Sequence, residues 1–100
     1  MAKHRLYWTR TSGGFPAAAV LTLAGVPWDS VEVDIGGGQN FSPEYLALNP
    51  LGQVPTLLLP DGTVMTESAA MAWHLADRLP QAGLLPPREE EGKRGMLLRW

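Results

Sequence analysis

The sequence predicts an α/β sandwich with elements in the order β-α-β-α-β-β-α, and three stretches carry that reading. Residues 28–35 alternate, with Val31, Val33 and Ile35 on one face and Glu32 and Asp34 on the other, which is the period of a half-buried strand. An alanine-rich run at 16–24 separates this strand from an earlier apolar stretch at 5–8, and a strand, helix and strand in so short a unit imply a right-handed parallel crossover. Residues 56–59 and 63–65 face each other across Pro60-Asp61-Gly62, where Asp-Gly is expected to supply the positive φ values of a tight hairpin turn.

Each element has local reasons. Residues 5–8 are aromatic and aliphatic, and residues 9–14 form a turn of hydroxylated residues and glycine. Pro16 suits a first helical turn, where its missing N–H costs nothing, and Gly25 with Pro27 beyond it ends that helix. Gly36-Gly37-Gly38 reads as a flexible loop, and it lacks the spacing of a phosphate-binding loop. A short helical turn from Ser42 or Pro43 to Leu48 is closed by Asn49-Pro50. The second long helix is expected over 67–79, with Met71, Leu75 and Leu79, and Ala72 and Ala76 beside them, facing the sheet. Trp73 lies off that stripe and reads as a contact surface. Pro80 stops the helix, residues 81–88 form a linker, and residues 89–100 read as the start of a helical domain that is otherwise absent.

One hundred residues suffice for one domain with its own core. A net charge of −2, with eight Lys and Arg scattered along the chain, gives no nucleic-acid signature. No run approaches the roughly 20 apolar residues of a membrane helix, and residues 1–9 lack the apolar core of a signal peptide, so a cytoplasmic location is the default. Without cysteine there is no disulfide, protein thiol nucleophile or thiolate metal site. His4 and His74 stand seventy positions apart without clustered partners, so no metal site is expected. Any thiol chemistry must use a thiol brought by the substrate.

The stretch 49–68 is the most informative. Val54 precedes Pro55 and is pushed out of the helical region, so its N–H and C=O can pair with another extended peptide. A cis Val54–Pro55 bond would fix that presentation. After the hairpin, Thr66-Glu67-Ser68 places hydroxyls, a carboxylate and backbone N–H groups at a helix start, where a ligand carboxylate is stabilised. Taken singly, Val-Pro is an ordinary strand entry and Thr66 or Ser68 an ordinary helix cap.

Taken in order, Asn49-Pro50-x-Gly52-Gln53-Val54-Pro55-Thr56-Leu57, then Asp61-Gly62, then Glu67-Ser68 and a helix, closely resembles the glutathione-binding segment of the glutathione S-transferase N-terminal domain. The resemblance covers about residues 5 to 80 and implies a thioredoxin-like βαβαββα sandwich at residues 1–80. It also implies that the Val54–Pro55 backbone pairs with the cysteinyl part of glutathione, that Glu67 and Ser68 hold its γ-glutamyl end and that Gln53 contacts its glycyl end. Glutathione is then a co-substrate, with no further cofactor. The resemblance further implies a small electrophile as the second partner and a homodimer for the full-length protein. The function implied is a transferase that activates the thiol of glutathione for conjugation or isomerisation; a non-catalytic transferase-like interaction or dimerisation module is the alternative.

Such an enzyme must ionise a thiol whose ordinary pKa is about 8.5, and lowering it by about two units takes roughly 2.7 kcal/mol. One hydrogen bond to a charged group supplies about 1.5–3 kcal/mol and a helix N-terminus about 0.3–1. Counting back from Gly25-Val26-Pro27, the family's serine-type patterns fall on Thr11 and Ser12, whereas the cysteine of the bacterial beta-like pattern falls on Gly13. Ser12 is the preferred activating hydroxyl and Thr11 the next. Tyr7, inside the first strand, is a third candidate and reads better as a core residue.

Overall fold

The computed structural model describes residues 3–9, 13–84 and 90–98, so Thr11 and Ser12 and positions 85–88 of the expected linker lie outside the described residues. The elements are β1 (His4–Trp8), α1 (Phe15–Ala24), β2 (Trp28–Glu32), α2 (Pro43–Leu48), β3 (Thr56–Leu58), β4 (Val64–Met65), α3 (Ser68–Arg78) and α4 (Glu91–Leu98), with 3-10 turns at Gln39–Phe41 and Pro80–Ala82. The strands form one sheet in the order β2-β1-β3-β4. β1 runs parallel to β2 and antiparallel to β3, which is antiparallel to β4. This is the expected thioredoxin-like arrangement.

Strand alternation divides the layers. Leu6 pairs with Leu57 and Tyr7 with Thr56, and opposed residues share a face. Leu6 and Leu57 are fully buried with Ala17 and Leu21 of α1 and Met71 and Leu75 of α3, which form the main core. The opposite face receives α2, where the Tyr7 and Tyr45 rings meet edge to face at 6.1 Å. α2 is capped as its sequence suggests: Pro43 follows Ser42, whose Oγ accepts from the Tyr45 N–H at 3.2 Å. Gly25 closes α1 at φ 72°, donating to the Thr22 carbonyl.

Four sequence expectations are corrected locally. The alternating strand ends at Glu32; the Val33 N–H still reaches the Trp8 carbonyl at 2.9 Å, but Ile35 is turned out to solvent. The triple glycine is a hydrogen-bonded turn, because Asp34 Oδ1 accepts from the Gly37 N–H and Gln39 Oε1 from the Asp34 N–H. In the hairpin only Gly62 takes positive φ, at 92°; the Gly62 N–H bonds the Leu59 carbonyl and the Leu59 N–H bonds the Thr63 carbonyl, while Asp61 accepts from the Thr63 N–H. The last bond holds the Asp61 carboxyl below its usual range. Finally, α3 starts at Ser68, with Glu67 outside it. Trp73 is half-buried in an apolar groove of about 370 Å³ between α1 and α3, with Ala19, Val20, Ala72 and Leu84. Among the described residues no helix is long and apolar enough to cross a membrane.

Gly52 shows how tightly the loop before β3 is packed. Its φ is 65°, and a Cβ there would lie 2.7 Å from the Phe41 ring and 3.1 Å from the Asn40 carbonyl oxygen.

Two stability predictions follow from this packing. Leu57→Ala should cost about 2–5 kcal/mol in urea unfolding, whereas Leu23→Ala on the exposed side of α1 should stay within about 0.5 kcal/mol. Gly52→Ala should cost more than Gly62→Ala, whose Cβ would meet open space and which bears only the backbone term of about 1–2 kcal/mol. Equal losses would show that the Phe41 contact yields freely.

Candidate functional site

The site is built where three chain segments meet. Gly13, Gln53, Val54, Pro55, Thr66, Glu67 and Ser68, with Asn49 behind them, line one cleft of about 150 Å³. All five residues expected to contact the ligand, Gln53, Val54, Pro55, Glu67 and Ser68, are therefore brought together. Gly13, next in sequence to Ser12, lines the same cleft; a Cβ at Gly13 would stand 3.3 Å from Ser68 Oγ. At Gly14 a Cβ would come within 2.7 Å of Trp8 Cβ and 3.2 Å of Pro55 Cβ. The glycine pair thus lets the turn before α1 lie against Pro55 and the start of α3.

The Val54–Pro55 bond is cis. Among the described residues nothing hydrogen-bonds the Val54 N–H or C=O, so both groups remain available for a peptide partner. At the other end of the cleft, Glu67 occupies the cap position of α3 with φ 71° and makes no side-chain hydrogen bond to the helix. The first N–H groups of α3 thus receive no side-chain cap, and Ser68 carries its hydroxyl at the same end. Among the described lining residues Glu67 is the single charged group.

Polar residues of the α2 side hold the loop from behind; Asn49 and Thr56 belong to the sequence motif, but sequence reading gave none of these residues a supporting role. Tyr45 Oη donates to the Gln53 carbonyl at 2.6 Å and meets Thr56 Oγ1 at 2.7 Å. Asn49 Nδ2 reaches the same two atoms, at 3.0 and 3.2 Å, and its Oδ1 accepts from the Leu51 N–H. Asn40 Nδ2 donates to the Gly52 carbonyl at 2.8 Å. Asn40, Tyr45, Asn49 and Thr56 are all buried. Burial pushes the Tyr45 phenol up against the lowering effect of its Thr56 hydrogen bond and of nearby Asn49, so it remains a neutral donor near pH 7. The available signal was a threonine opening an apolar strand directly after proline.

Tyr7 stands apart from the cleft. It packs against Tyr45 and lines a separate notch beside Val31 and Leu48 on the α2 face. It is half-buried and lies outside the main core, on the α2 face of the sheet.

Comparison with known proteins places the chain. The model of the glutathione S-transferase N-terminal domain matches residues 16–78. Maleylacetoacetate isomerase of Pseudomonas aeruginosa is 36% identical over 84 residues, covering 81% of this chain and 40% of the isomerase. The uncharacterized GST-like protein YncG of Escherichia coli is 39% identical over 99 residues, covering 96% of this chain and 47% of that protein. A glutathione transferase homologue from Sulfitobacter, solved with bound glutathione, superposes with a TM-score of 0.80 at 37% identity, over 86% of this chain and 41% of that one. The chain thus spans less than half the length of these relatives. With the cleft, the sheet order and the family match in agreement, this chain belongs to the glutathione S-transferase family, in the region of its thioredoxin-like N-terminal domain.

Proposed function

We propose that this chain is the glutathione-binding part of a glutathione S-transferase that prepares the thiol of glutathione for attack on an electrophile. The observation that carries this reading is the meeting in one cleft of the unpaired Val54 backbone and the uncapped start of α3 with Glu67 and Ser68. Glutathione is an extended peptide with a free carboxylate and ammonium at its γ-glutamyl end. The Val54 N–H and C=O suit its cysteinyl amide groups. Ser68 and the first N–H groups of α3 suit the γ-glutamyl carboxylate, and Glu67 suits the ammonium. Gln53, exposed beside Val54, is left for the glycyl end. The bound glutathione of the Sulfitobacter homologue supports the same ligand here.

In this reading the thiol lies near the turn before α1, and the Ser12 hydroxyl, with Thr11 as the second candidate, donates to the thiolate. That hydrogen bond and the helix start together approach the roughly 2.7 kcal/mol needed for a two-unit shift. Conjugation, or isomerisation as in the name of the Pseudomonas relative, begins with the same thiolate. The helix α4 belongs, in this reading, to a helical domain that builds most of the electrophile pocket.

Calorimetric titration of the chain with reduced glutathione at neutral pH should give saturable heat in the micromolar to millimolar range. The heat should disappear in a folded Glu67→Ala, Ser68→Ala double variant; no heat from the folded wild-type chain would overturn the reading. In turnover assays Ser12→Ala should move the apparent thiol pKa up toward about 8.5, so kcat/KM falls at pH 7 and recovers as pH rises. Unchanged profiles in both Ser12→Ala and Thr11→Val would remove these two residues from the mechanism.

A further inference from the structure

The polar cluster behind the loop has one consistent order of protons. The Gln53 carbonyl can only accept, so at 2.6 Å the single Tyr45 proton goes to it. The Thr56 hydroxyl must then donate to Tyr45 Oη across their 2.7 Å contact. Asn49 spends one Nδ2 hydrogen on the Gln53 carbonyl and the other on Thr56 Oγ1, while its Oδ1 takes the Leu51 N–H. These donors and acceptors therefore have partners in one closed ring, whose Tyr45, Asn49 and Thr56 side chains are buried. Its two chain ends are Gln53 and Thr56, the residues that flank Val54 and Pro55 on either side.

We propose that Thr56, acting through Tyr45, is a positioning residue for the peptide-binding edge. Thr56 is fully buried and neither it nor Tyr45 lines the cleft, so neither touches the ligand. What the pair controls is direction. The Gln53 carbonyl belongs to the same peptide unit as the Val54 N–H, and a planar peptide turns as one piece. Drawing the carbonyl onto Tyr45 and Asn49 turns the Val54 N–H to the opposite side of that peptide unit, and Val54 itself lines the cleft. The sheet enforces the arrangement: Thr56 pairs with Tyr7, which places its hydroxyl on the α2 face within reach of Tyr45. The inference rests on the reading of this cleft as a glutathione site, and names the group that orients its donor.

The test uses Thr56→Val, which keeps the side-chain shape and removes the hydroxyl, and Thr56→Ser, which keeps the hydroxyl and removes a buried methyl. Both are titrated with reduced glutathione after their folding is verified by circular dichroism. Thr56→Val should weaken binding about tenfold, the loss of roughly one hydrogen bond's worth of orientation. Thr56→Ser should bind within about twofold of wild type even if it melts lower, because the proton order survives. A purely structural role would make affinity follow stability and leave serine without advantage. Tyr45→Phe serves as a second variant should Thr56→Val not fold, with the same expected loss of about tenfold. Binding within twofold of wild type in folded Thr56→Val or Tyr45→Phe, or Thr56→Ser as weak as Thr56→Val, would overturn the proposal. Absence of glutathione binding by wild type would instead remove the site reading on which it rests.

Discussion

The alternation of β1 and β3 is the constraint on which the rest of the domain depends. β1 is paired on both edges, with β2 on one side and β3 on the other. Its register sends Leu6 and Leu57 into the apolar layer under α1 and α3 and sends Tyr7 and Thr56 toward α2. A slip of one residue would reverse both faces at once, placing the Thr56 hydroxyl in the apolar core and a leucine against the Tyr45 hydroxyl. Each error would cost a buried polar group its partner. The cleft inherits this registration, since Pro55 immediately precedes Thr56 and the lining continues directly from the sheet.

Much of the fold could be read in the sequence because its signals are local. The first helix is bounded by Pro16 and Gly25, and α2 by Ser42 with Pro43. Of the stripe Met71, Leu75 and Leu79, the first two are buried with Ala76 beside them, while Leu79 is partly buried just beyond the helix end. The boundaries that differ are those where a side chain competes with the ladder. Asp34 and Gln39 draw the chain into a turn and end β2 before the alternation ends, and the bonding of the Pro60-Asp61-Gly62 turn leaves positive φ to glycine alone. Such competition depends on three-dimensional reach, which a residue pattern does not contain.

The lining of the candidate cleft was legible as a run of residue types, and its support was not. Val54 is pushed toward extended backbone by Pro55, and Glu67-Ser68 stands directly before a helical run. Asn40, Asn49 and Thr56 look like surface or turn residues, because polarity alone implies exposure. They are buried because α2 lies across the loop and brings the Tyr45 hydroxyl to a carbonyl and a hydroxyl at once. Buried polar residues of this kind become visible only when the elements that exclude water from them are assembled.

Glu67 sets the domain's robustness against the charge of its cleft. Its backbone, at φ 71° and ψ 107°, lies in a region that side-chain-bearing residues rarely adopt, at a cost on the order of 1–3 kcal/mol. Glycine would relieve that cost and delete the carboxylate in the same step. On the proposed reading of the cleft, stability and recognition therefore favour opposite residues at this position. A laboratory lineage screened only for heat resistance would drift toward glycine here and lose the single charged side chain among the described residues that line the cleft.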